Sequence, residues 1–345
     1  MNILIILIVL LTIFVLIRLM NIVQLTAQLS GESEEAEMKR DGKLNGLMLV
    51  GFMVVGLALM IYMTLRYKKY MLTVSASEHG IELDNLLWWN FAVIGLVFFI
   101  TEIALFWFAY KYRYSKERRA YFYPDNHKLE LIWTIIPTIV LSVLIVTGLK
   151  PWNEITQSEH TDGMKIEVYG YQFNWIARYA GKDNTLGASN YMNITDENAL
   201  GVDYRDKATS DDIMTKGNEM HLPVGIPIDM IFHAREVIHS AYFPHLRVQI
   251  NCVPGMTTRF YFKPILTTAE MRKISKNEKF DYVLLCNKVC GVAHYTMNMK
   301  VVIESPEDFK KWLKGEKKVM ETPAAETKIA DENPAASVSK QVALN

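Results

Sequence analysis

Four long apolar runs crowd the first half of this chain, at 1–23, 45–65, 87–110 and 130–150. About 20 apolar residues suffice to cross the hydrocarbon of a bilayer. In lipid a lone span can satisfy its own backbone only as a helix. The N-terminal part therefore reads as about four transmembrane α-helices. Trp88, Trp89, Trp107 and Trp152 lie near run ends, where interfacial aromatics sit. Lys39, Arg40 and Lys43 in the 24–44 loop, and Lys111, Arg113, Lys116, Arg118, Arg119 and Lys128 in the 111–128 loop, put those loops inside. Both termini then lie outside, against a smaller opposing cluster at Arg66, Lys68 and Lys69. The first run lacks a basic leader and a small-residue cleavage site, so it reads as a retained helix.

The remainder has the composition of soluble protein. A formal net charge of +0 gives no basic excess of the kind a nucleic-acid binder uses. After a polar linker (PWNEITQSEHTDG, 151–163) come short β-rich runs such as MKIEVYG, GIPIDMIFH, TTRFYF and MNMKVVI, punctuated by Gly, Pro and Asn. That pattern predicts an antiparallel sandwich or barrel. The polar stretch 181–220 reads as a surface insertion, PEDFKKWLK (306–314) as a short helix, and the Ala, Lys, Glu and Pro-rich 314–345 as a disordered tail.

Chemistry concentrates in CNKVCGVAHYTM, residues 286–297, which holds Cys286, Cys290, His294 and Met297. The only other cysteine is Cys252, which reads as a small buried side chain. Three readings compete. Cysteines four apart could form a disulfide given favourable geometry. A structural zinc could use both cysteines and His294, although the spacing is unlike C-x2-C and zinc has no need of a thioether. Thiolate, imidazole and thioether together suit copper on a β sandwich. Two thiolates from one loop can bridge two copper ions, which then need a second histidine from elsewhere. His221, His233, His239 and His245 are all upstream in the β half, and composition does not choose among them.

The motif C-x3-C-x3-H-x2-M, the upstream EVIHSAYFP and the membrane stretch LELIWTIIPTIVL together resemble subunit II of cytochrome c oxidase, over about residues 87–313. The resemblance implies a transmembrane hairpin (71–152) and a cupredoxin-like Greek-key sandwich (160–313) carrying the dinuclear copper A centre. Two additional N-terminal helices (1–70) fall outside the family pattern. By position, Cys286 and Cys290 would bridge two coppers, His239 and Met297 would complete one, and His294 with the Lys288 carbonyl the other. The family usually has a glutamate at position 288 that also binds magnesium. A lysine cannot do so, which implies that this magnesium site is absent from the subunit. Phe173, in GYQFNW, stands where the family has the tryptophan that receives electrons, with Trp175 two residues on. Glu130 matches a glutamate at the mouth of a proton channel of subunit I.

The resemblance further implies oxidase subunits I and III and a cytochrome c donor as partners, membrane lipid around the helices, and a bacterial inner membrane with the copper domain on the periplasmic side. Arg235, Glu236 and Asn251 occupy positions that are often acidic in the family, and Arg235 and Asn251 are not acidic here. That departure favours a fused or membrane-bound donor, as in a supercomplex with alternative complex III, over the usual soluble basic cytochrome. The runner-up reading is a membrane-anchored copper chaperone or storage protein, which leaves the ELIWTIIP hairpin unexplained. Glu102, in the middle of an apolar run, has no family counterpart.

Overall fold

The computed structural model describes residues 2–29, 33–119, 121–156, 160–215 and 217–321. The long apolar runs are helical: α1 (Asn2–Leu29), α2 (Glu34–Tyr67), α3 (Glu78–Lys111) and α4 (His127–Thr156). Among the described residues α2, α3 and α4 are long and apolar enough to span a membrane, and the described apolar part of α1, Leu10–Thr26, is shorter. Local chemistry sets the helix starts. The Ser33 side chain accepts from Ala36 N at 3.4 Å, and Asn126 Oδ1 accepts from Leu129 N at 3.1 Å. Each satisfies a donor that a first turn leaves without an intrahelical partner.

The chain divides into two compact units, Met1–Met71 with Phe91–Trp133, and Leu72–Asn90 with Thr134–Asn345. The first holds most of the membrane helices, and Phe52 of α2 meets Phe106 of α3 with ring centroids 6.0 Å apart. The second unit is a β-sandwich with helical additions. Its strands are β1 (Met164–Tyr171), β2 (Asn174–Tyr179), β3 (Ile213–Met214), β4 (Glu219–Pro223), β5 (Ile228–Ala234) and β6 (His239–Phe243). They continue with β7 (Val248–Cys252), β8 (Thr258–Phe262), β9 (Tyr282–Cys286), β10 (Asn298–Glu304) and β11 (Lys317–Lys318). Two short helices, α5 (Thr268–Ser275) and α6 (Pro306–Gly315), complete it.

One sheet runs β11-β3-β2-β1-β5-β8 and the other β4-β10-β9-β6-β7. Alternation along β9 (Tyr282, Leu284, Cys286) and β10 (Met299, Val301, Ile303) turns one face of each strand into the core. Trp175, Phe232, Phe243 and Phe262 fill the space between the sheets. The sheets are mixed, not purely antiparallel as the strand pattern predicts, because β1 pairs with β5 and β4 with β10 in parallel. Long connections permit this: the chain leaves β2, crosses the 181–220 stretch and returns to the far side of β1.

That stretch is more than a surface insertion. Leu200 and Val202 form a small second core with Tyr169 and Val319. Asp212, wholly buried, accepts from Arg178 at 3.1 Å and from Gly187 N at 3.0 Å. Arg178 also donates to Glu167 at 2.7 Å, so one buried guanidinium joins β2, β1 and the insertion. Order also extends past 313, where a disordered tail is expected. Strand β11 pairs with β3, and Val319 N donates to Asp212 O at 2.8 Å. Burial of Val319 draws the chain back onto the sandwich, a contact that composition does not reveal. Residues 322–345, the rest of the expected tail, lie outside the described residues.

The segment before α3 is fastened to the sandwich. Ala76 N donates to His245 O at 2.7 Å and Ser77 Oγ to Leu246 O at 2.6 Å. Arg247 grips Asp84 with two bonds of 2.7 and 2.8 Å, the bidentate geometry in which Arg–carboxylate pairs are strongest.

Replacing Arg178 with Met strands two carboxylates in the interior. Removing one partner from a buried ion network costs about 3–5 kcal/mol. Arg178→Met is therefore expected to lower the midpoint of thermal unfolding markedly, and adding Glu167→Gln should recover part of the loss. Differential scanning calorimetry of the purified chain checks both.

Candidate metal centre

Strand pairing brings the ligand-type side chains together. In the second sheet β6 lies beside β9, with Ala241 opposite Cys286. His239, two residues before Ala241, therefore projects on the same face as Cys286. The loop from 287 to 297 is closed at its base by Cys286 N donating to Met297 O at 3.1 Å. Asn287 N donates to Ser240 O at 2.9 Å, which joins the loop to β6. A tight turn then folds it inward, with His294 N bonded to Gly291 O at 3.2 Å and Met297 N to His294 O at 3.2 Å.

The outcome is a continuous chain of soft and borderline donors. Cys286 Sγ lies 3.8 Å from His239 Nδ1, 3.2 Å from the Lys288 carbonyl and 3.9 Å from Cys290 Sγ. Cys290 Sγ lies 3.6 Å from His294 Nδ1 and 3.7 Å from Met297 Sδ. The donor atoms of His239, Cys286 and Cys290 all fall within 4.8 Å of one another. His239 is wholly buried, Met297 and both cysteines are buried, and His294 is half-buried. All three cysteines of the chain are free thiols.

The electrostatics call for a cation. Burial first, and Cys286 second, push the Cys290 thiol up to about 11. Burial also holds the His239 imidazole below its ordinary value. Two adjacent thiolates in so dry a place repel each other unless positive charge lies between them. Sulfur, imidazole nitrogen, thioether and carbonyl form a donor set that fits copper. The observed distances leave room for metal among the side chains.

The other histidines are occupied elsewhere. His221 lies between Glu304 at 2.6 Å and Glu219 at 2.8 Å, stacked on Trp312. His233 faces Glu167 at 3.3 Å. His245 stands edge-on to Phe280 and Tyr282. Of the four candidates upstream, His239 is the one beside the thiols.

Both aromatic candidates touch this region. Trp175, 1% exposed, meets His239 edge-on with ring centroids 5.9 Å apart, so it is core and neighbour to the cluster at once. Phe173 is half-buried against Gly291, where an added Cβ would come within 2.8 Å of the phenyl ring. Gln172, missed in the sequence, donates from Nε2 to the Cys290 carbonyl and from its backbone N to Glu236. It ties the β1–β2 turn to the metal loop, and its place in GYQFNW beside Phe173 was the available signal. Lys288 is exposed and joins the cluster through its carbonyl alone. Glu130 is not part of the cluster. It lies in the first turn of α4, 3.2 Å from His127 Nδ1, in the other compact unit.

Residues 67–151 match the transmembrane domain of cytochrome c oxidase subunit II, and residues 164–305 match its periplasmic domain. The alternative cytochrome c oxidase subunit 2 of Bradyrhizobium diazoefficiens is 31% identical over 228 residues, covering 66% of this chain and 78% of that protein. Cytochrome c oxidase subunit 2 of Thermostichus vulcanus is 26% identical over 268 residues, covering 70% of this chain and 77% of the relative. Two Rickettsia relatives are matched over only 55% of their own length. Among solved structures, the periplasmic domain of subunit II of cytochrome oxidase from Bradyrhizobium japonicum aligns with 23% identity and a TM-score of 0.30, over 45% of this chain and 94% of that one. This chain, with membrane helices ahead of a sandwich that bears a Cys/His/Met cluster, belongs to the cytochrome c oxidase subunit II family.

Proposed function

We propose that this subunit takes electrons one at a time from a cytochrome at a dinuclear copper A centre and delivers them to haem in subunit I, where oxygen is reduced to water. The observation that carries the reading is the unbroken run of donor contacts, each 3.2–3.9 Å, from His239 and the Lys288 carbonyl through both thiols to His294 and Met297. Copper held by these residues would supply a one-electron redox store.

The protein holds the ligands in place and keeps water out. Cys286 and Cys290 would hold the metal through their thiolates, with His239 and Met297, and His294 and the Lys288 carbonyl, as two further ligand pairs. Burial of His239 and Met297 seals the inner side, and the base of the loop is pinned by the Cys286–Met297 backbone bond. Ligands pre-set in this way need little movement when charge changes. Phe173, in contact with the loop, is the electron entry, with Trp175 behind it. Lys288 presents an ammonium where the family has its magnesium-binding carboxylate, so magnesium is not held by this subunit. Glu130 opens a proton path into subunit I. Arg235 and Asn251 stand where acids draw a basic donor in the family, which supports a membrane-bound or fused cytochrome.

Electron paramagnetic resonance of the copper-loaded chain tests the centre. Hyperfine structure from two equivalent copper nuclei is expected, with two coppers per chain by metal analysis. Cys286→Ser and Cys290→Ser should each abolish the shared signal. A one-copper spectrum in the unaltered protein would overturn the reading in favour of a chaperone or storage site.

Gly291 has φ +145°, and a Cβ there would lie 2.8 Å from Gln172 Nε2 and from Phe173 Cε1 and Cζ. Gly291→Ala is expected to destabilise the chain by about 1–3 kcal/mol, the usual cost of local backbone strain. It should also slow reduction of the centre while leaving its copper content intact, which stopped-flow absorbance reads directly.

The donor surface makes a separate prediction. Oxidation of a soluble basic cytochrome c by the assembled complex should vary little with ionic strength, because the acidic pair that would draw it in is broken. A steep fall in rate with salt would restore the soluble donor.

A further inference from the structure

Glu102 has no part in the electron path, yet it sits deep within an apolar helix, and intramembrane acids mark functional contacts by default. Its place on α3 is specific. Phe99, Glu102, Phe106 and Tyr110 are half-buried while most of their neighbours are exposed, and their spacing of three and four residues forms one helical stripe. Its Phe106–Tyr110 end packs on α2. Phe106 meets Phe52, and Tyr110 lies so close to Gly46 that a Cβ there would come within 2.9 Å of its ring. On α2 the matching stripe is Gly46, Val50, Met53 and Leu57. The helices run in opposite directions along this seam, so one turn beyond Phe106 brings Glu102 level with Met53.

Nothing on α2 can serve the carboxyl group at that level. Between Gly46 and Leu65 the only polar side chains are Tyr62 and Thr64, both beyond Leu57, and Thr64 donates to Met60 O at 2.8 Å. On α3 itself the Thr101 hydroxyl is committed to the carbonyls of Val97 and Phe98 at 2.9 and 3.0 Å. No hydrogen-bond partner of Glu102 is found among the described residues. In hydrocarbon an unserved polar group is costly, and such groups pair across helices.

We propose that Glu102 is a docking point for another membrane subunit of the oxidase, whose transmembrane helix lies against the α2–α3 seam and presents an N–H or O–H donor to the carboxyl group. The additional helix α2 then has a role: it walls one side of the seam, so the partner reaches the carboxyl from the open side. This inference rests on the oxidase assembly and is independent of how many coppers the sandwich holds.

The test uses the complex purified from native membranes in mild detergent, with Glu102→Gln and Glu102→Leu variants of the full chain. Glu102→Gln keeps hydrogen-bonding capacity and should retain the partner subunits. Glu102→Leu should lose at least one of them several-fold by quantitative mass spectrometry, with the copper signal unchanged. In the unaltered complex Glu102 should resist an apolar carbodiimide, and it should become reactive once the isolated chain is stripped of partners. Full subunit retention in Glu102→Leu would overturn the proposal. So would carbodiimide labelling in the intact complex, or loss of turnover in Glu102→Gln with all subunits present, which would assign the carboxyl to proton transfer.

Discussion

Two sulfurs held 3.9 Å apart in a dry pocket impose the constraint around which the rest of the sandwich is arranged. Free thiols at that spacing are tolerable only while they keep their protons, and the upward push on Cys290 expresses that cost. A cation between them removes it. The pocket can be this dry because β9 and β10 form a ladder that closes at Cys286 and Met297, so the loop leaves and re-enters the sheet at one fixed point. Strand β6 then supplies His239 from the side, and the β1–β2 turn supplies a lid through Gln172 and Phe173. Glycine at 291 lets the lid come close. The ligand groups thus all come from β6, β9 and the loop after β9, in one sheet, and the β1–β2 turn of the other sheet covers them.

A second polar cluster is built on β1 and β2. Arg178 bridges Glu167 and Asp212, and the insertion and the β11 segment converge on the same place. Buried ion networks contribute little net stability but are costly to break. Here the network links pieces that are distant in sequence, so it acts on register and placement more than on total stability. Arg247 has a comparable task in the same unit, joining the turn after β6 to Asp84 near the start of α3.

The membrane half follows different physics. Its helices need no sandwich-like core, because lipid covers their apolar faces and the backbone is satisfied within each helix. Exposed Leu, Ile, Val and Phe along α1 to α4 are what such a solvent requires. Against that background a single carboxyl at Glu102 stands out more than any apolar detail, and it lies on the seam that an additional helix creates.

Much of this was legible from residue order. Long apolar runs determined the helices, since lipid leaves few alternatives, and the spacing from Cys286 to Met297 determined a metal-binding loop, since neighbouring ligands need no tertiary help to stay together. Residue types and spacing alone could not choose His239 over His221, His233 or His245, and only the family resemblance of EVIHSAYFP pointed to it. That choice depends on which strand lies beside β9, and strand order is a product of packing between distant segments. The parallel pairing of β1 with β5, the small core under the insertion and the order beyond residue 313 escaped for the same reason. Each rests on contacts such as Arg178 with Asp212 or Val319 with Leu200, whose partners share no local pattern. Local chemistry is written in the sequence because its cause is local. Which distant side chains meet was decided only when the sheets closed over a common core.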